Sequence, residues 1–197
     1  MRCSILAVDP RQFYLLNVAD TCSIWNILSS KLLYNASISA KCSFSCTAFV
    51  YYECLHKPRT YISDKEQELQ RRLEQQRKAG QFQIFHIDLD DLNDLEVLEK
   101  RSHLSKGELS SMVFARRTQQ AFITDDQSAR KLASNYLPND RIQTTPHLFG
   151  WLMYSGMLGD SDKDVIIKEH TCFGRPLEKY FNLIYMKALE YKLAYRG

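Results

Sequence analysis

The chain has 197 residues, 45% of them hydrophobic, and a formal charge of +3. This length suits one domain with enough apolar material for a substantial core. The charge excludes a broadly basic nucleic-acid binder, so any nucleic acid would have to be held by a local patch. No apolar run is long enough to cross a bilayer, and the opening MRCSILAVDP carries too short an apolar stretch for a signal peptide. The six cysteines (Cys3, Cys22, Cys42, Cys46, Cys54 and Cys172) form no C-x-x-C pair and lack histidines at zinc-ligand spacing. They read as small, reduced core residues of a cytoplasmic protein with no membrane partner.

Residues 13–19, FYLLNVA, are nearly all apolar, as a strand buried on both faces of a parallel sheet should be. Asp20 ends that strand, and residues 21–33 predict a helix with Ile24, Ile27, Leu28 and Leu32 on one face. Residues 42–47 predict a second strand and 48–56 a helix that Pro58 stops. SDKEQELQRRLEQQRK, residues 63–78, is a charged helix with a solvated face. A third strand is expected over 82–87, then an acidic helix start at 89–94. A helix over 105–118, a strand over 121–124 and a helix over 127–136 follow. A short strand near Ile142 precedes a helix that opens at Pro146, a favoured first-turn residue. Strands alternating with helices predict a three-layer α/β/α sandwich around a central parallel sheet. In such folds the site lies beyond the carboxyl ends of the strands.

That rule selects a set of acids. Asp20 follows the first strand, and Asp125 and Asp126 follow the fourth. Glu53 lies about two turns into the helix after the second strand, and Glu108 in the first turn of the helix that feeds the fourth. Carboxylates brought together repel and resist full ionisation, so such a cluster suits a hard divalent cation, Mg²⁺ or Mn²⁺. Each acid also has a plainer role. Asp20 and Asp126 stand where Asp is a preferred N-cap, and Ser105 with Glu108 spells a capping box. Glu53 is the exception, because no cap explains a carboxylate within FVYYECL; it needs exposure or a cation.

Other polar groups read as structural. Asp88, Asp90 and Asp91 suit a turn and an acidic helix start, and Asp160, Asp162 and Asp164 do likewise. His103 and His170 lack a nucleophile's setting and read as surface histidines, while Trp25 and Trp151 lie on apolar helix faces. The tail GRPLEKYFNLIYMKALEYKLAYRG places Leu177, Phe181, Ile184, Leu189 and Leu193 mostly at helical spacing beside Lys179, Lys187, Lys192 and Arg196. It predicts a last helix packed on the domain, with a dimer or partner interface or a phosphate-contacting edge as sharper readings.

Four blocks, in order, resemble the PIN domain: NVADTCSIWNIL, SCTAFVYYECLHKP, LSKGELSSMVFARRTQQAFITDDQSARKLA and TTPHLFGWLMYSGML, together spanning about residues 13–158. The resemblance implies a PIN-like domain over 1–160 with a C-terminal helical extension over 161–197 packed on it. It implies a nuclease that binds Mg²⁺ or Mn²⁺ and cleaves RNA rather than DNA, often as the toxin of a toxin–antitoxin pair. An antitoxin protein and a second copy of the chain are the protein partners this allows. Carried over by position, Asp20, Glu53, Glu108 and Asp126 are the catalytic, metal-binding acids, with Asp125 an auxiliary ligand. Thr124 and Thr21 would supply supporting hydrogen bonds. The chain departs from the family in having Glu108 where Asp is usual, a long insert over 59–80 and the extra tail. The other reading is a catalytically inactive PIN-like interaction module that keeps its acids as helix caps.

Overall fold

The computed structural model describes residues 8–88, 90–91, 93–94 and 103–194. Cys3, Arg196 and, within the expected acidic helix start at 89–94, Leu89 and Leu92 lie outside the described residues; 90–91 and 93–94 are helical. Five strands, β1 (Leu16–Ala19), β2 (Ser43–Thr47), β3 (Phe82–Phe85), β4 (Ala121–Ile123) and β5 (Ile142–Gln143), form one sheet in the order β3-β2-β1-β4-β5. Every pairing is parallel, with Ala19 opposite Ile123 and Val18 opposite Ser45. The helices are α1 (Thr21–Ser29), α2 (Lys31–Ser39), α3 (Ala48–Leu55), α4 (Asp64–Lys78), α5 (Lys106–Thr118), α6 (Gln127–Ala133), α7 (Thr145–Tyr154), α8 (Asp160–Cys172) and α9 (Glu178–Ala194). The chain is therefore an α/β/α sandwich, as the alternation of strand and helix patterns predicts.

Successive strand residues point to opposite faces and so build two cores. Ala19, Phe44, Cys46, Phe82 and Ile123 pack with the apolar sides of α1, α2, α4, α7, α8 and α9. Val18 and Phe122 point the other way, onto Leu109, Met112 and Phe114 of α5 and Ala129 and Ala133 of α6. The extension joins the larger core: Phe181 of α9 meets Phe149 of α7 edge-on at 5.0 Å. Gly150 admits this close crossing, since a Cβ there would lie 2.3 Å from Cγ1 of Ile184.

Several boundaries differ from those expected. The helix expected over 21–33 is broken at Ser30, whose extended backbone (φ −110°, ψ 114°) ends α1. Its hydroxyl caps α2 by accepting the N–H of Leu33 at 3.0 Å, and it donates to Glu169 at 2.5 Å. The first strand begins at Leu16 rather than Phe13, because Phe13 stacks on Trp151 and meets His147 edge-on outside the sheet. The third strand stops at Phe85, and the helix after Asp126 at Ala133. The extension consists of α8, which opens at the acidic start expected at Asp160, and α9, whose far end leaves Leu193 exposed.

His170 is buried rather than at the surface, bonded through Nδ1 to the carbonyl of Ile166 at 2.9 Å and set edge-on to Phe181. Cys22, Cys42, Cys46, Cys54 and Cys172 are free thiols; Cys172 is exposed and Cys22 half-buried, so neither is the core residue expected. Burial pushes Cys42 and Cys46 up to about 12, which leaves them as inert thiols. Among the described residues no helix is long and apolar enough to cross a membrane.

Candidate functional site

The parallel register brings the ends of β1 and β4 together. Asp20 is the first residue beyond β1, and its N–H donates to the carbonyl of Ile123 at 3.4 Å. The Asp20 carboxylate is completely buried. One oxygen caps α1, accepting from the N–H of Ser23 at 2.8 Å; the other accepts the hydroxyl of Thr124 at 2.5 Å. Burial raises its pKa from 3.8 to about 7 against the pull of those two donors, and the nearby Asp125 charge raises it further.

Asp125 and Asp126 leave β4 in different directions. Asp125 accepts three bonds: from the N–H of Thr145 at 2.9 Å, from the Thr145 hydroxyl at 2.5 Å and from Nδ2 of Asn26 at 2.7 Å. It thereby ties the end of β4 to the middle of α1 and the start of α7. Asp126 caps α6 with one oxygen, accepting the N–H of Ala129 at 2.8 Å, and its own N–H donates to Oγ1 of Thr124 at 3.2 Å. Its second oxygen accepts no hydrogen bond among the described residues.

Glu53 reaches the same end of the sheet from α3. Oε2 accepts the hydroxyl of Thr21, the residue after Asp20, at 2.8 Å, and Oε1 accepts the N–H of Gly107 at 3.2 Å. Gly107 is what admits the carboxylate against the first turn of α5, since a Cβ at that position would lie 2.4 Å from Oε2. Glu108 stands next door, turned into the capping box expected for it. Its Oε2 accepts the N–H of Ser105 at 2.8 Å, and its N–H donates to the Ser105 hydroxyl at 3.2 Å. Thr47 and Ser110 share a buried hydrogen bond of 2.7 Å that fixes α5 over the end of β2.

All five acids thus sit at the carboxyl end of the sheet. Asp20, Asp125 and Asp126 are near enough for their charges to raise the Cys22 thiol, after burial itself, to about 12. Glu53 is one hydrogen bond from the residue beside Asp20, whereas Glu108 faces its own cap. Among the described residues, none of the five forms an ion pair with Lys, Arg or His. Among the same residues, no three or more His, Cys, Asp or Glu side chains converge closely enough to enclose a metal ion. The donor set is nonetheless all-oxygen and anionic, which suits a hard dication, and Asp126 and Glu108 each keep an oxygen outside their caps.

Thr124 and Thr21 play the supporting roles expected of them. Asn26 and Thr145 were missed. The signal for Asn26 is its place among Ile24, Trp25, Ile27 and Leu28, since an amide on an apolar helix face needs a buried partner. Two openings adjoin the acids. A cleft of about 740 Å³ lies beside Glu53, lined by Phe49, Tyr52, Lys57 and His86, and a smaller one of about 110 Å³ lies beside Asp125, lined by Arg130 and by Tyr180 of the extension. No protein-family model, no curated protein and no solved structure matches the chain.

Proposed function

We propose that the chain is a metal-dependent nuclease of the PIN type, cleaving the phosphodiester bonds of RNA with Mg²⁺ or Mn²⁺ held by its carboxylates. The observation that carries this reading is Asp20. Aspartate is almost never fully buried without a charged partner, yet Asp20 is fully buried at the end of the central strand with another acid nearby and, among the described residues, no ion pair to Lys, Arg or His. A cap alone does not call for this. Ser or Asn would cap α1 about as well without the cost of desolvating a charge.

Asp20 and Asp126, with Glu53, Glu108 and the auxiliary Asp125, would hold the ion. When bound, a dication of this kind supplies an activated water and neutralises charge on the phosphate. The chain's own part is orientation. Thr124 holds Asp20 and the backbone of Asp126, Thr21 and Gly107 fix Glu53, and Asn26 and Thr145 fix Asp125. We place the protein in the cytoplasm, where free thiols persist. The same resemblance supports a toxin role, with an antitoxin as protein partner. The all-parallel sheet and the gathering of the acids at its carboxyl end support the family assignment.

The capping bonds of Asp126 and Glu108 favour a second reading, an inactive PIN-like interaction module. Cleavage of a mixed RNA pool with Mn²⁺ decides between them. The nuclease reading expects Asp20→Asn and Asp126→Asn each to lose activity by about 100-fold or more, because outer-shell partners alone are worth 10–100-fold. Asn caps as well as Asp, so wild-type activity retained by both variants leaves only the module.

A further inference from the structure

The cleft beside Glu53 has a composition that the acids do not explain. Phe49, Tyr52 and Glu53 stand at i, i+3 and i+4 on α3 and so share one face of that helix. Phe49, Tyr52 and Glu53 line the cleft together with Ile87 and the exposed ring of His86, and Lys57 brings a positive charge to it. Tyr52 is 49% exposed, although it belongs to a helix whose Val50 and Cys54 are buried in the core. Lys57 is exposed and forms no ion pair among the described residues. At about 740 Å³ the cleft lies in the range of sites that enclose a small organic group.

An apolar cleft that took only a greasy ligand would have no use for Lys57, and a site for phosphate alone would have no use for the rings. Rings beside a cation match a nucleotide, whose base has a stacking face and whose backbone carries the charge. Resting on the nuclease reading, we infer that this cleft takes one unstacked base of a single-stranded nucleic acid against Tyr52, with Lys57 on the flanking phosphate. Glu53 then sets the distance between the bound base and the acids, so the base in the cleft determines which bond of the strand lies at the site. A base held in a duplex cannot enter.

The test is binding without metal, which separates it from cleavage. An Asp126→Asn protein in EDTA is titrated into a fluorescently labelled single-stranded RNA of mixed sequence, and into the same RNA annealed to its complement. The single strand is expected to bind more tightly. Tyr52→Ala is expected to raise Kd by about five-fold or more, from the usual worth of one base stack, with Tyr52→Phe within about two-fold of the parent. Tyr61→Ala, at the most exposed tyrosine among the described residues and outside the cleft, should change nothing. Lys57→Gln is expected to reduce the salt dependence by about 0.7 in log–log slope, one phosphate's share on a single strand. Binding by Tyr52→Ala equal to the parent, or duplex bound as tightly as single strand, overturns the inference even if Mn²⁺-dependent cleavage stands. So does a Tyr52→Ala variant that releases a protein partner while its RNA affinity is unchanged. Strand binding through Tyr52 in a protein that never cleaves supports the cleft and sinks the nuclease.

Discussion

The hydroxyl of Thr124 donates to the buried carboxylate of Asp20 at 2.5 Å, joining the ends of two neighbouring strands through one side chain. The same Oγ1 accepts the N–H of Asp126 at 3.2 Å, so a single threonine orients two of the proposed ligands. The geometry also holds Asp20 where its charge is expensive. Its raised pKa is the measure of that cost, and it gives the first prediction.

Asp20 titrates at about 7 in the fold against an ordinary 3.8, chiefly because of burial. Well below pH 3.8 the group is neutral in both states and costs nothing. As pH rises from about 4 to 7 the unfolded chain ionises first, so the native state loses stability; above 7 both are ionised and the loss is complete. The whole change is on the order of 4 kcal/mol. Asp20→Asn is therefore expected to gain stability relative to wild type across that window and then level off. His147 and His170, whose pKa values burial lowers, slope the other way but act in both proteins and cancel. Urea unfolding at a series of pH values reads the difference; parallel curves would show that Asp20 carries no such cost.

Gly107→Ala separates Glu53 from stability. The new Cβ would fall 2.4 Å from Oε2 of Glu53, the far end of a flexible side chain that can swing away. Alanine in a helix is better than glycine by up to about 1 kcal/mol, so the melting temperature should hold or rise. Mn²⁺ affinity and RNA cleavage should fall. A variant that is fully active would mean that the position of Glu53 does not matter to the site.

Much of this arrangement is legible in the sequence. Apolar runs ending in Asp20 and in Thr124–Asp126 mark the strands and the end at which their acids gather, because a parallel sheet places all such ends on one edge. Glu53 is flagged by its apolar neighbours. What cannot be read is how the acids are held. Asn26 and Thr145 meet at Asp125 from 99 and 20 residues away in the chain, and no local pattern encodes such a meeting. Ser30 breaks its helix because its hydroxyl caps α2 and meets Glu169, a partner 139 residues on. His170 looks like a surface residue until Phe181 of the next helix closes over it.

The helical extension belongs to the same core. Gly150→Ala would push a methyl to 2.3 Å from Cγ1 of Ile184, in a crossing with no room to give. Overpacking of this kind costs about 1–3 kcal/mol. Ile184→Ala in the same chain removes the clash, so a double-mutant cycle by thermal or urea melting should show strong positive coupling. Additive effects would mean that the approach of Ile184 to Gly150 does not limit the crossing of α9 over α7.

Calorimetric titration with Mn²⁺ at pH 6, where Asp20 is still mostly protonated, asks whether the acids take up a cation at all, and it requires neither the right substrate nor an active preparation. The proposal predicts saturable binding by the wild-type protein, proton release as Asp20 is forced to ionise, and a loss of affinity of about ten-fold or more in Asp20→Asn and in Asp126→Asn. A wild-type protein that takes up no Mn²⁺, or variants that bind it as tightly as wild type, would contradict it and leave the five acids as caps and structural hydrogen-bond acceptors.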